Sequence, residues 1–261
     1  MLERINHHGI LELRLARPPV NALEHGLLCE LRDAIEGAPA AGARALVLSG
    51  SPGVFTAGLD LPHLFNQGIA AVEATWLAFG QVCRALAASP LLSVAAIGGH
   101  SPAGGAVISL YCDYRVMAQS PTGSDPLAAR GPFRIGLNEV AVGLFVPDAI
   151  QYALRRLVGP HRAERLMVAG AMPTAEEAEA FGMVDELAPT PEVTARALAW
   201  LDAMLKLPQA AQRETRRIAR HDLLESIDDP ARMDLPRFIA AWQSPETQAV
   251  LREVLARLGK G

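Results

Sequence analysis

Leu92-Ser93-Val94-Ala95-Ala96-Ile97-Gly98-Gly99-His100-Ser101-Pro102-Ala103-Gly104-Gly105 is the stretch that decides the fold. Its first six residues read as a buried strand, glycines follow at once, and a short helix is expected after Ala103. The first turn of a helix has no intrahelical acceptors for its N–H groups. A strand that runs through glycines into a helix therefore aims free N–H groups at whatever lies in front. The apolar run from Leu91 to Ile97 is too short to cross a bilayer.

The same unit recurs on either side. Ile10 to Leu15 alternates as a strand, and Arg17-Pro18-Pro19 ends it because proline cannot continue a ladder. Leu23, Leu27, Leu28, Leu31 and Ile35 fall at helical spacing, and Ala43 to Ser49 reads as a second buried strand. A helix from Ile69 to Ala88 and a strand from Tyr114 to Ala118 continue the alternation. Parallel strands covered by helices are the expected result, an α/β fold.

Beyond Pro147 the pattern turns helical. Ile150, Leu154 and Leu157 fall on one helical face and Glu164 to Val168 on another, and a short extended segment covers Met183 to Leu187. From Val193 onward almost everything reads as helix, closing on a stripe of Val250, Leu251, Val254, Leu255 and Leu258 that needs a partner surface. The expected division is a core over 1–192 and a C-terminal helical region over 193–261.

Composition narrows the function classes. The 261 residues suit one sizeable domain, with half of them hydrophobic and a fifth charged. A net charge of -4 without a basic run argues against nucleic acid, because binding a phosphate backbone needs clustered Lys and Arg. Cys29, Cys83 and Cys112 are odd in number and widely spaced, which reads as free thiols and gives no metal site. Met1 to Leu15 carries Glu3, Arg4 and two histidines where a signal peptide needs an apolar run, so a cytoplasmic protein without a membrane span is expected.

Three segments could carry chemistry. Phe55-Thr56-Ala57-Gly58-Leu59-Asp60-Leu61 follows a buried strand, where α/β sheets place ligand-binding loops. With the loop at Gly104 it forms a pair that could grip one acyl oxygen, although each loop alone also reads as a tight turn. Gly99-His100-Ser101-Pro102-Ala103 approximates a hydrolase nucleophile elbow, but the residue after that serine must donate its N–H and here it is Pro102. In Ile135 to Leu144 a single carboxylate, Glu139, stands inside an apolar stretch. Such surroundings raise a carboxyl's pKa toward the range useful for proton transfer, and a cap on a backbone N–H fits the same residue equally well. Asp60 and Asp113 read as structural, and His63 and His100 are assigned no role.

Taken together, Ala57-Gly58-Leu59-Asp60-Leu61, Pro102-Ala103-Gly104-Gly105, Cys112-Asp113-Tyr114-Arg115 and Gly136-Leu137-Asn138-Glu139 resemble the crotonase (enoyl-CoA hydratase/isomerase) superfamily in wording, order and spacing. Gly170, Glu177-Ala178 and Gly182-Met183-Val184-Asp185 extend the likeness toward the C-terminus. Within the superfamily these phrases are most similar to mitochondrial-type Δ3,Δ2-enoyl-CoA isomerases. The resemblance implies a crotonase-like ββα spiral with a C-terminal helical trimerisation region. It also implies an oxyanion hole from the N–H groups of Leu59 and Gly104, with Glu139 as the catalytic base, and it puts Ala57, Gly58, Asp60, Leu61 and Asn138 at the substrate. The expected partner is an acyl-CoA thioester, in a homotrimer or hexamer, with no metal and no separate cofactor, since coenzyme A belongs to the substrate.

Hydratases of this superfamily carry two glutamates, and alignment puts Val107 where the first would stand. One base beside an oxyanion hole suffices to move a proton between C2 and C4, so isomerisation is expected. The alternatives are hydration or another crotonase reaction on acyl-CoA, non-catalytic acyl-CoA binding, and a serine hydrolase using Ser101. Ser120 to Pro132 reads as a loop inserted before the Glu139 segment, and Asp125 is the only acid in it.

Overall fold

The computed structural model describes residues 1–123 and 125–258, with Arg130 and Leu258 described by their backbone alone. Ser124 of the inserted loop and the last three residues of the 193–261 region lie outside it. Its strands are β1 (Leu2–His7), β2 (Ile10–Leu15), β3 (Ala45–Ser49), β4 (Gly53–Val54), β5 (Leu92–Ile97), β6 (Gly99–Pro102), β7 (Tyr114–Ala118), β8 (Ile135–Gly136) and β9 (Glu186–Ala188). One sheet runs in the order β1-β2-β3-β5-β7-β9 and a smaller one in the order β4-β6-β8. Among the described residues the β1–β2 hairpin is the only antiparallel strand pair; every other strand pair is parallel.

Each turn of the chain repeats one pattern. A strand of the large sheet is followed by a short strand of the small sheet and then by helical structure: β3, β4 and the helix Leu61–Phe65; β5, β6 and the helix Gly104–Leu110; β7, β8 and the 3-10 turn Glu139–Val142. Because β4, β6 and β8 are parallel neighbours, the segments leaving their carboxyl ends emerge side by side. Those segments hold Leu59, Gly104 and Glu139. The close approach depends on Gly99, where a Cβ would collide with the backbone of Gly53 in β4.

The small sheet is where the sequence reading falls short. Gly98 to Gly105 is not all loop: Ser101 pairs with Ile135 and Pro102 with Gly136. Pro102 closes its strand beyond the last residue paired with β4, and the donors toward β8 are the N–H groups of Ser101 and Ala103, so no ladder bond calls for a Pro102 N–H. Leu23 lies outside the helix His25–Gly37 and instead bridges to Leu59, its N–H donating to Gly58 O at 2.8 Å. The extended segment expected at Met183 to Leu187 is displaced toward the C-terminus, to β9, while Met183 and Val184 are buried in the turn before it.

The region after residue 192 is continuous with the rest. Helix Val193–Met204 packs against β3, β5 and β7, burying Val193, Ala197 and Leu201, and one hydrophobic core runs from Leu2 to Leu251. In the final helix, Pro245–Leu258, Leu251 is fully buried while Val250, Val254 and Leu255 are half-buried.

Asp113 fastens the helices after residue 208 to the sheet. It accepts from Arg216 Nε at 2.8 Å, from Arg220 Nη1 at 2.9 Å and from the Ser93 N–H at 2.8 Å. Burial opposes its charge, but the guanidinium groups of Arg220 and Arg216 outweigh it and hold the carboxyl below its ordinary value. Removing one partner of a buried ionic cluster leaves the others uncompensated. Asp113→Asn is therefore expected to cost about 3–5 kcal/mol, seen as a lower midpoint in denaturant unfolding.

Candidate active site

The loop after β4 is held open toward its neighbour. Thr56 Oγ1 donates to Asn21 O at 2.6 Å and accepts from the Gly58 N–H at 3.1 Å. Gly58 then takes φ +84°, the left-handed region that favours glycine, and passes against Gly104 and Pro102. Asp60 closes the loop. It accepts from the His63 N–H at 3.0 Å, capping the helix Leu61–Phe65, and pairs with Arg17 at 2.8 Å. Arg17 in turn donates to Ala22 O at 3.1 Å. Arg17 had no expected role from sequence.

The parallel bridge between Leu23 and Leu59 uses the Leu23 N–H, the Leu23 carbonyl and the Asp60 N–H. It leaves the Leu59 N–H without an acceptor among the described residues. Across the gap, Ala103 donates to Gly136 O at 2.8 Å and sits at φ 44°, and Gly104 opens the helix Gly104–Leu110. Gly104 contributes the first N–H of that helix, one of those with no intrahelical acceptor. Two free backbone donors thus come from adjoining loops, the arrangement that stabilises a developing oxyanion.

Leu59, Gly104 and Glu139 line one cavity of about 60 Å³, together with Ala57, Leu61 and a ring of apolar side chains. Among the described residues Glu139 is the only ionisable side chain on that wall. Its Oε2 is buried and has no hydrogen-bond partner, and burial pushes the carboxyl up to about 7, opposed only in part by a backbone hydrogen bond. An unpaired carboxyl of that kind is suited to exchanging a proton near neutral pH.

The Glu139–Val142 turn is clamped from the final helix. Thr247, buried to 1 % exposure, donates to Gly143 O at 2.7 Å, and Ser244 bonds to the Thr247 hydroxyl at 3.0 Å. Thr247→Val, nearly isosteric, removes that donor and lets the turn carrying Glu139 shift. It is expected to lower kcat by about tenfold in a steady-state assay, because small misplacements of a reacting group are costly, while Thr247→Ser retains the rate.

The remaining expected site residues lie elsewhere. Gly58 backs the cavity by its contact with Gly104, whereas Asp60 and Asn138 are absent from the wall. Asp60 braces its loop, and the buried Asn138 Oδ1 has no partner. Val107 is fully buried in the core and does not reach the cavity. Asp125 accepts from the Leu127 N–H at 2.8 Å, just ahead of the turn Ala128–Arg130, and is absent from the cavity wall. Ser101 is fully buried and its Oγ bonds to no histidine, His63 is exposed, and His100 accepts from the Arg134 N–H at 3.3 Å. The described residues hold no group of three His, Cys, Asp or Glu poised for a metal, and no helix long and apolar enough to cross a membrane.

Comparison with known proteins agrees with this geometry. Residues 6–241 match the family model described as enoyl-CoA hydratase/isomerase. The human protein named enoyl-CoA delta isomerase 1, mitochondrial, is 30 % identical over 96 % of this chain and 80 % of its own length. A probable enoyl-CoA hydratase of Mycobacterium tuberculosis is 30 % identical over 78 % of this chain and 74 % of its own. The crystal structure of human mitochondrial Δ3,Δ2-enoyl-CoA isomerase superposes with a TM-score of 0.90 at 28 % identity, covering 99 % of this chain and 98 % of that one.

Proposed function

Because this chain belongs to the enoyl-CoA hydratase/isomerase family, we propose that it shifts the double bond of a 3-enoyl-CoA thioester to the 2-position. The observation that carries this reading is that Glu139 is the single ionisable group on the cavity wall among the described residues: it faces an apolar pocket in which those residues place no second acid to orient water.

In this reading the thioester oxygen sits between the Leu59 and Gly104 N–H groups. The Glu139 carboxylate removes a C2 proton, and the electron pair moves through the carbonyl to give a dienolate held by those donors. Protonated Glu139 then returns the proton to C4, leaving the double bond between C2 and C3 and regenerating the carboxylate. Each oxyanion donor contributes about 3 kcal/mol to the transition state. Hydration instead requires a positioned water, for which the pocket offers one carboxyl and otherwise apolar walls.

The test is conversion of a 3-enoyl-CoA to its 2-enoyl isomer, followed by the absorbance of the conjugated thioester. Absence of turnover with retained acyl-CoA binding would support a non-catalytic binding protein instead. The same reading includes assembly as a homotrimer or hexamer, which light scattering on the purified protein tests.

A further inference from the structure

Trp76 is a wall shared by two cavities. On one side lies the 60 Å³ space beside Leu59, Gly104 and Glu139. On the other lies a cavity of about 430 Å³, reaching the surface at the exposed Leu77, whose lining joins Ile227, Met233 and Leu235 to the Arg84–Asp228 ion pair. Gly80 lies on the wall of the second cavity, where a Cβ would stand 3.4 Å from Met233 Cε.

What holds the wall in place is stacking. The Phe238 ring lies parallel to the indole, with centroids 3.7 Å apart and planes 10° apart, and the Phe79 ring is tilted by 31° with its centroid 6.0 Å from the indole's. The indole N–H is buried without an acceptor, although a buried tryptophan usually finds one. Among the described residues no hydrogen bond holds the indole N–H, and the stacked Phe238 ring is its nearest aromatic neighbour. Phe238 comes from the helix Leu235–Trp242, far along the chain from the residues it confines.

Size gives the consequence. A cavity of roughly 150 Å³ is what admits a benzene-sized group, so 60 Å³ leaves room for only the first carbons of an acyl chain. We propose that the stacked pair Trp76 and Phe238 is the chain-length stop of this site: it confines the acyl chain to a short segment beside Glu139 and separates it from the larger cavity, which takes the distal tail once the stack is broken and the indole is free to turn aside. The inference rests on the acyl-CoA reading above and adds the residues that select among its substrates.

The test uses saturated thioesters that cannot react, so its outcome is separate from whether a double bond moves. Kd for hexanoyl-CoA and dodecanoyl-CoA is measured by calorimetry on the wild-type protein, on Phe238→Ala and on Phe238→Leu, which keeps more of the core packed. The expected result is a wild-type preference for hexanoyl-CoA. Phe238→Ala shifts the ratio of the two constants toward dodecanoyl-CoA by about tenfold or more, since each further methylene buried adds affinity, and Phe238→Leu shifts it less in the same direction. A wild-type preference for dodecanoyl-CoA overturns the stop, as does an unchanged ratio in either variant that retains the wild-type circular dichroism. A shifted ratio without isomerase turnover retains the stop and sinks only the isomerase assignment, whereas failure of the wild-type protein to bind either thioester overturns both.

Discussion

Glu139→Gln is expected to lower isomerase kcat by about 10²–10⁴-fold, the contribution of a positioned acid–base group, while acyl-CoA binding persists. The wild-type pH profile identifies the same residue. Only the carboxylate removes a proton from C2, and burial raises this carboxyl to about 7, so kcat/KM rises with pH through about 7 and then levels. Stability follows the opposite sign. The folded chain holds a proton that the unfolded chain releases near 4.5, so this group's contribution is complete below that value and is lost as pH rises to about 7. The glutamine variant is thus more heat-stable than wild type at pH 8 and gains nothing at pH 4, a pairing of lost activity with gained stability that a purely structural glutamate would not give. A variant that keeps the wild-type rate removes Glu139 from the mechanism.

Gly58→Ala is expected to lower kcat/KM by about 10²–10³-fold with the fold retained, the size of effect seen when one oxyanion donor is lost. A Cβ at this position would stand 3.2 Å from Gly104 N, 3.4 Å from Pro102 O and 3.5 Å from Ala103 Cβ, and the backbone is at φ +84°. The methyl therefore wedges between the two loops whose N–H groups must converge. Circular dichroism and thermal melting separate this from unfolding: strain of this kind costs about 1–3 kcal/mol, and the activity loss exceeds what that accounts for. Near-normal kinetics would mean that the Leu59 and Gly104 donors do not act together.

The parts of this site that can be read from sequence are those written in local pattern. The helix Ile69–Ala88 and strand β5 carry long apolar signals, and the structure places both at the expected bounds. Glu139 stands out because a carboxylate inside an apolar stretch breaks the local pattern. Strands β4 and β8 have two residues each, too few for any periodicity, so the small sheet that gathers the three loops escapes a reading by pattern. Thr247 and Phe238 sit on helices whose faces look like ordinary amphipathic packing, and only the folded chain shows that one bonds to the end of the Glu139 turn while the other lines the pocket. Arg17 likewise acts across space, through Asp60, on a loop it does not neighbour in sequence.

The identity of the residues at the pocket also explains why likeness to relatives leaves the reaction open. Proteins named as isomerase and as probable hydratase match this chain at the same 30 % identity. In the proposed reading the difference rests on Val107, buried in the core, and on Glu139, the only ionisable side chain among the described residues on the cavity wall, because water needs a second polar group to orient it and a proton shuttle does not.

The most direct measurement follows from that difference: turnover of a 3-enoyl-CoA in heavy-oxygen water, with the thioester product analysed by mass spectrometry. A single-glutamate shuttle predicts a 2-enoyl-CoA of unchanged mass, formed at a rate that Glu139→Gln abolishes. A 3-hydroxyacyl-CoA carrying the heavy oxygen as the main product would contradict it.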